Sequence, residues 1–213
     1  MNNHDAPPLS TDEPAAQELP AIEFESPGRF AIHNPAQQNS PSSEIHAAAF
    51  TLGEHRDLQA FSTPEQARSH ALALLQQARR QLCLYSSDLE PWLYHHSSIQ
   101  EACTRFLLAN PKNQLRILLR DSSRAVKDGH RLLTLARRLP SSCQIRKLHP
   151  DYPNEEITFL LADNCGLLLR PELSQFAGYA LYQDPVRNRQ RLSQFEQAWA
   201  TSISDADLRS FLL

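Results

Sequence analysis

Glycine is scarce: five in 213 residues. That argues against a glycine-rich loop whose backbone would cradle the phosphates of a nucleotide. No H-E-x-x-H metal motif and no G-x-S-x-G nucleophile turn is present either. Cysteine is equally sparse. Cys83, Cys103, Cys143 and Cys165 lie 20, 40 and 22 residues apart, and no pair has metal-ligand spacing. Each falls in an apolar segment or turn, where a reduced thiol packs as a small hydrophobe. No metal and no cofactor are expected. No stretch approaches the roughly 20 apolar residues of a membrane span. The N-terminus has neither the charged start nor the apolar run of a secretion signal. These absences give the expectation of a protein in a reducing cytoplasm, without a membrane partner.

What is present is unevenly spread. Residues 1–45 hold seven acidic residues against Arg29 alone, and seven of the 15 prolines. That leaves 17 acidic and 20 basic residues of the chain's 24 and 21 for residues 46–213. The overall charge of −3 therefore hides an acidic first segment and a basic body. A segment so rich in Pro, Ser, Asn and Gln cannot bury enough apolar surface to offset its chain entropy, so 1–45 is expected to be disordered. Residues 46–213 are long enough for one domain with a sizeable core.

The body alternates helices and strands. Ile157–Pro171, I-T-F-L-L-A-D-N-C-G-L-L-L-R-P, sets two apolar runs around Asp-Asn-Cys-Gly and reads as a hairpin in the middle of a sheet. Before it, Gln81–Ser86, Gln114–Arg120 and Cys143–Leu148 read as short strands, and Gly178–Tyr182 adds another after it. A first helix starts at Pro64, with Thr63 as cap and Gln66 completing a capping box. A second starts at a box of Ser98 and Glu101 and stops before Pro111. A third runs from about Ala125 to Leu139, and a last one starts at Asp184-Pro185. The order predicts an α/β fold: a mixed, mostly parallel sheet with helices on both faces.

Two sets of residues are candidates for a site. In an open α/β sheet, ligands bind beyond the carboxyl ends of the strands. Asp88, Asp121 (with Ser122 and Ser123) and His149 follow three successive strands, and Arg170 ends the hairpin. Asp and Ser after a strand also cap helices and close turns, so the set stands open between a cleft and ordinary turns. The second set is basic. Residues 105–147 carry 11 basic residues against Asp121 and Asp128. On one uninterrupted helix, Arg124, Lys127, Arg131 and Arg138 would share a face and offer a stripe to an anionic ligand or to nucleic acid. The alternatives are a solvated face, or pairing with residues 151–184, which hold six acids and one base. Gly129 within that helix is costly by about 1 kcal/mol and suggests close packing or a ligand's approach. His95-His96 make a poor metal pair, because adjacent helical residues face different ways.

The βαβαβ order, the hairpin and the closing F-E-Q-A-W (Phe195–Trp199) resemble one half of a phospholipase-D-like domain. That superfamily's H-x-K-x-x-x-x-D motif leads into such a hairpin, the His acting as nucleophile and the Lys binding phosphate. With the motif's Asp on Asp163, Glu156 stands for the His and Thr158 for the Lys. The resemblance therefore implies a degenerate site and no phosphodiester chemistry. L-Y-S-S-D-L-E-P-W-L-Y and G-H-R-L-L-T-L-A-R-R-L-P-S are similar to an uncharacterised bacterial domain found alone or fused behind GNAT-type acetyltransferases. That similarity implies a regulatory partner of an acetyltransferase or another protein. By analogy with paired phospholipase-D halves, a homodimer is a further expectation. Three functions follow: a non-catalytic binding module for an anionic ligand, an enzyme using Asp88, Asp121, His149 and Arg170, or an acetyltransferase accessory.

Overall fold

A computed structural model describes residues 45–153 and 156–209. They belong to one compact unit, Ser43–Leu213. Residues 1–44 lie outside them, and with them the expected disordered tail but for Ile45; so do the apolar Phe211 and Leu212 near the C-terminal end, whose packing onto the core the sequence suggests. Among the described residues seven strands form a single mixed sheet: β1 (Gln59–Phe61), β2 (Gln81–Ser86), β3 (Gln114–Leu119), β4 (Cys143–Lys147), β5 (Thr158–Ala162), β6 (Gly166–Arg170) and β7 (Gly178–Leu181). Their order is β1-β7-β6-β5-β2-β3-β4. β2, β3 and β4 are parallel; β5 pairs antiparallel with both β2 and β6, and β7 with both β6 and β1. The β5–β6 hairpin is thus internal, and every one of its strand residues is buried.

Helices cover both faces. On one side lie α1 (Pro64–Gln77), α3 (Ser97–Ala109) and α5 (Arg131–Arg138), and their leucines and alanines join Leu82, Leu84, Ile117 and Leu160 in the larger core. α6 (Pro185–Thr201) covers the other, where Phe195 and Ala198 pack on Tyr85, Leu118, Phe159, Leu161 and Leu167. Alternation across each strand sends successive side chains into these two cores. Among the described residues there are three further short helices: α2 (Pro91–Tyr94), α4 (Ser123–Lys127) and α7 (Ala206–Arg209). No described helix is long and apolar enough to cross a membrane.

The caps are those of the sequence with two changes. Thr63 accepts from the Gln66 N–H at 3.3 Å, but the Gln66 side chain reaches one residue further back, accepting from the Ser62 N–H at 3.0 Å. At α3 the expected Ser98–Glu101 box does not form. His96 is the cap, its Nδ1 accepting from the Ser98 N–H at 3.3 Å, and the helix opens earlier at Ser97.

The larger correction concerns the third expected helix, which is two. Gly129 takes φ +58° between α4 and α5, a left-handed conformation that favours glycine, and His130 caps α5. Nothing lies within 4 Å of where a Gly129 Cβ would stand, so its backbone angle, not close packing or an approaching ligand, accounts for the glycine. Because the chain turns there, Arg124 and Lys127 on α4 no longer share a helix face with Arg131 and Arg138 on α5. The expected single-helix stripe is thus divided between two helices. Arg124 is turned instead to Asp88 at 3.1 Å and Asp128 at 3.7 Å.

Candidate functional site at the carboxyl edge of the sheet

The parallel register of β2, β3 and β4 brings Asp88, Asp121 and His149 to one edge of the sheet. β6 is antiparallel to β5, which is antiparallel to β2, so β6 runs with β2 and Arg170 ends at that same edge. The four strand-end residues therefore share an edge.

Asp121 turns back on its own loop. Its carboxylate accepts from the Ser123 N–H at 2.9 Å and from the Ser123 hydroxyl at 2.7 Å, opening α4. Those bonds, the backbone one foremost, hold the carboxyl below its ordinary range. His149 does likewise: Nδ1 accepts from the Asp151 N–H at 3.3 Å. Asp88 accepts from the Glu90 N–H at 3.0 Å and pairs with Arg124.

Arg170 is the centre of the edge, and its partner is a residue that sequence reasoning missed. The Arg170 and Glu90 side chains are 1 % and 4 % exposed and form an ion pair. Arg170 Nη2 also donates to the carbonyls of Glu172 at 3.3 Å and Leu173 at 3.2 Å, and Nε to that of Gln175 at 3.1 Å. The Trp92 ring lies 4.8 Å from the guanidinium carbon, and Phe176 meets Trp92 edge-on at 4.8 Å. Burial pulls the Arg170 guanidinium below its ordinary value, and the nearby Asp88 charge works the other way.

Placing Glu90 there distorts the backbone. Leu89 and Glu90 take φ +69° and +37°, conformations that cost a branched or bulky residue on the order of 1–3 kcal/mol each. Surrounding contacts hold them. The Leu89 N–H donates to Ser86 Oγ at 3.1 Å, and the Glu90 carbonyl accepts from Leu93 and Tyr94 at 2.8 and 2.9 Å to start α2. D-L-E-P-W reads locally as a turn, and no local feature marks Glu90 for burial. Its one signal is Arg170, the lone base among the six acids of 151–184 and the charge that closes an apolar strand.

The positions aligned with H-x-K-x-x-x-x-D divide between the two edges. Glu156 is exposed just before β5 at the carboxyl edge, and Thr158 is buried beside Arg170, its register partner. Neither side chain is an imidazole nucleophile or a cation. Asp163 lies at the opposite edge, in the β5–β6 turn, with φ +53°. Its carboxylate accepts from the backbone N–H groups of Arg79 (2.9 Å), Arg80 (2.8 Å) and Gln81 (3.1 Å), anchoring the start of β2. Asp163→Ala is expected to cost about 1–2 kcal/mol, since three donors lose a charged acceptor while water replaces part of it. Urea unfolding checks this; a loss below about 0.5 kcal/mol would make the anchor incidental.

Residues 63–211 match the family described as Domain of unknown function (DUF7931). The chain belongs to that family. No curated protein matches it. Solved structures similar to this DUF7931 chain include TrmBL2, an archaeal chromatin protein whose structure shows a novel mode of DNA binding, at 10 % identity and TM-score 0.52 over 70 % of this chain. The DUF7931 chain spans about half of TrmBL2, 54 %. NucT from Helicobacter pylori is similar at 9 % identity and TM-score 0.50, over 70 % of this chain and 99 % of NucT. Nuc from Salmonella typhimurium, a phospholipase D family member, is similar at 14 % identity and TM-score 0.49, over 69 % of this chain and 96 % of Nuc. The fold, shared with NucT, is the mixed α/β sheet with helices on both faces that the sequence predicted, with four of its six strand pairings antiparallel.

Proposed function

We propose that this protein is a non-catalytic binding module built on a phospholipase-D-like domain. The observation that carries the reading is the carboxyl edge of the sheet, where Glu156 and Thr158 stand in the places of nucleophile and phosphate-binding ammonium. The cation nearest them in register, Arg170, is already committed to Glu90 and to three loop carbonyls. A guanidinium so enclosed, 1 % exposed, is shut away from a substrate phosphate. Asp121 Oδ1 and His149 Nδ1 bond within their own turns and not to each other, which supports a reading without a paired base and nucleophile. The four free and buried cysteines suit a reducing compartment.

The test is turnover. Purified protein incubated with a chromogenic phosphodiester is expected to release no more product than buffer alone. Hydrolysis that disappears in His149→Ala would overturn the reading, because an edge imidazole would then be acting as the nucleophile.

A further inference from the structure

The edge of the sheet opposite Arg170 carries a second set of charges. There β2 and β3 begin and the β5–β6 turn closes, and Arg79, Arg80, Lys112 and Arg116 line an open cleft of about 770 Å³. These cations differ in what they do for the fold. Arg116 is a structural residue. It makes two hydrogen bonds to the Glu196 carboxylate, at 2.6 and 3.0 Å, and its guanidinium lies between 5 and 6 Å from the Phe195 and Trp199 rings, at 5.2 and 5.5 Å. Burial opposes its charge, but the bonds to Glu196 outweigh this and hold its pKa above the ordinary value.

Arg79, Arg80 and Lys112 are exposed, and their side chains make no hydrogen bond or ion pair with any described residue. Nor does the cleft's own carboxylate neutralise them by contact, since Asp163 directs its oxygens to the backbone N–H groups of residues 79–81. Any residue but proline would supply those N–H groups. The fold thus accounts for a backbone at 79 and 80 and not for two guanidinium groups there. Three like charges around one opening repel one another, an arrangement that raises the local concentration of anions.

We propose that this cleft binds a ligand carrying two or more phosphate groups. Guanidinium forks match phosphate oxygens in pairs, and three uncompensated cations suit more than one phosphate. The lining holds no aromatic ring on which a base would stack, so recognition is of phosphates, without sequence preference and strongly weakened by salt. The inference rests on the reading of this protein as a binding module and gives that module its site. The shared chemistry occurs in a nucleic acid backbone and in free polyphosphate.

The experiment uses the full chain, a fluorescein-labelled single-stranded oligonucleotide about 16 nucleotides long and inorganic tripolyphosphate. Anisotropy follows the first, and isothermal calorimetry the second. At low salt at least one probe is expected to bind. Binding of both assigns the nucleic acid backbone, and of tripolyphosphate alone the free polyphosphate. R79Q/R80Q/K112Q is expected to weaken the binding at least about tenfold, and to make log K against log salt for the oligonucleotide shallower by about 2, near 0.7 for each phosphate no longer neutralised. Its thermal melt should be unchanged, because these side chains bond to no described residue; if it melts early, Lys112→Gln alone, on a separate loop, carries the comparison. K127Q/R138Q, on α4 and α5, should bind as the parent does. No binding of either probe, or binding lost in K127Q/R138Q and kept in the cleft variant, overturns the proposal. Cleavage of the oligonucleotide, read by gel in the same samples, would sink the non-catalytic reading and leave the cleft standing.

Discussion

Arg170→Met is expected to lower the unfolding free energy by about 3–5 kcal/mol, the range for breaking a buried ion pair by removing one partner. The magnitude follows from what is left behind. Methionine fills most of the space, but the Glu90 carboxylate stays at 4 % exposure with its counter-charge gone. The carbonyls of Glu172, Leu173 and Gln175 lose their common donor as well. The second half of the prediction separates charge from packing. Glu90→Leu combined with Arg170→Met removes both charges, and apolar replacement of a whole buried pair is often neutral or stabilising. The double variant should therefore be more stable than Arg170→Met alone, with a coupling of about 1–3 kcal/mol in a double-mutant cycle. Urea unfolding monitored by circular dichroism measures all four proteins. Arg170→Met within about 1 kcal/mol of the parent would mean that the pair is hydrated and the edge open, which would also reopen the question of substrate access there.

Stability should fall between pH 7.5 and pH 5 by about 2 kcal/mol through His130. This imidazole is fully buried; its Nδ1 accepts from the Leu132 N–H at 3.2 Å, capping α5, and Nε2 has no hydrogen-bond partner among the described residues. Its ring meets that of His95 edge-on at 4.9 Å. Burial first, then the neighbouring His95 and Arg131, push the group from 6.5 down to about 3. The folded protein keeps His130 neutral while the unfolded chain protonates it near 6.5, so the stabilisation is complete above that value and is lost as pH falls towards 3. Over the 1.5 units down to pH 5 the loss is about 2 kcal/mol, at 1.36 kcal/mol per unit. His70, also lowered by burial, acts in the same direction. The carboxyls of Asp121 and Asp205, both held below 3.8, give up their contribution only at still lower pH and lie outside the window. His130→Asn keeps an acceptor for the α5 cap and removes the titration. Urea midpoints at pH 7.5 and 5.0 should lie closer together in the variant than in the parent, His70 keeping a part of the difference; equal separation in both would assign the effect elsewhere.

Much of the architecture could be read from local pattern. Gln81–Ser86 carries its apolar run between polar ends, and Pro64 and Pro185 each follow a capping residue, so these elements begin where their chemistry says. The internal hairpin announced itself by two apolar runs around one turn. β1 gave no such sign, because three residues, Gln59–Phe61, become a strand only by pairing with β7. The break at Gly129 was visible as a cost but not as a turn: one left-handed residue separates α4 from α5, and the expected stripe is divided between two helices.

The sequence by itself determined an α/β sheet around an inner hairpin, with Glu156 and Thr158 leading into it. Periodicity, caps and turn residues act within a few positions, so one chain suffices to read them. Tertiary structure alone decided which charges are hidden and which are free. Arg170 is enclosed because Glu90, remote in the chain, is forced through left-handed angles to meet it, whereas Asp163 takes only the backbone of Arg79 and Arg80 and leaves their side chains to solvent, beside the exposed Lys112 of the loop before β3. The fate of a charge depends on desolvation and on partners brought by strand register, and both are properties of the folded sheet.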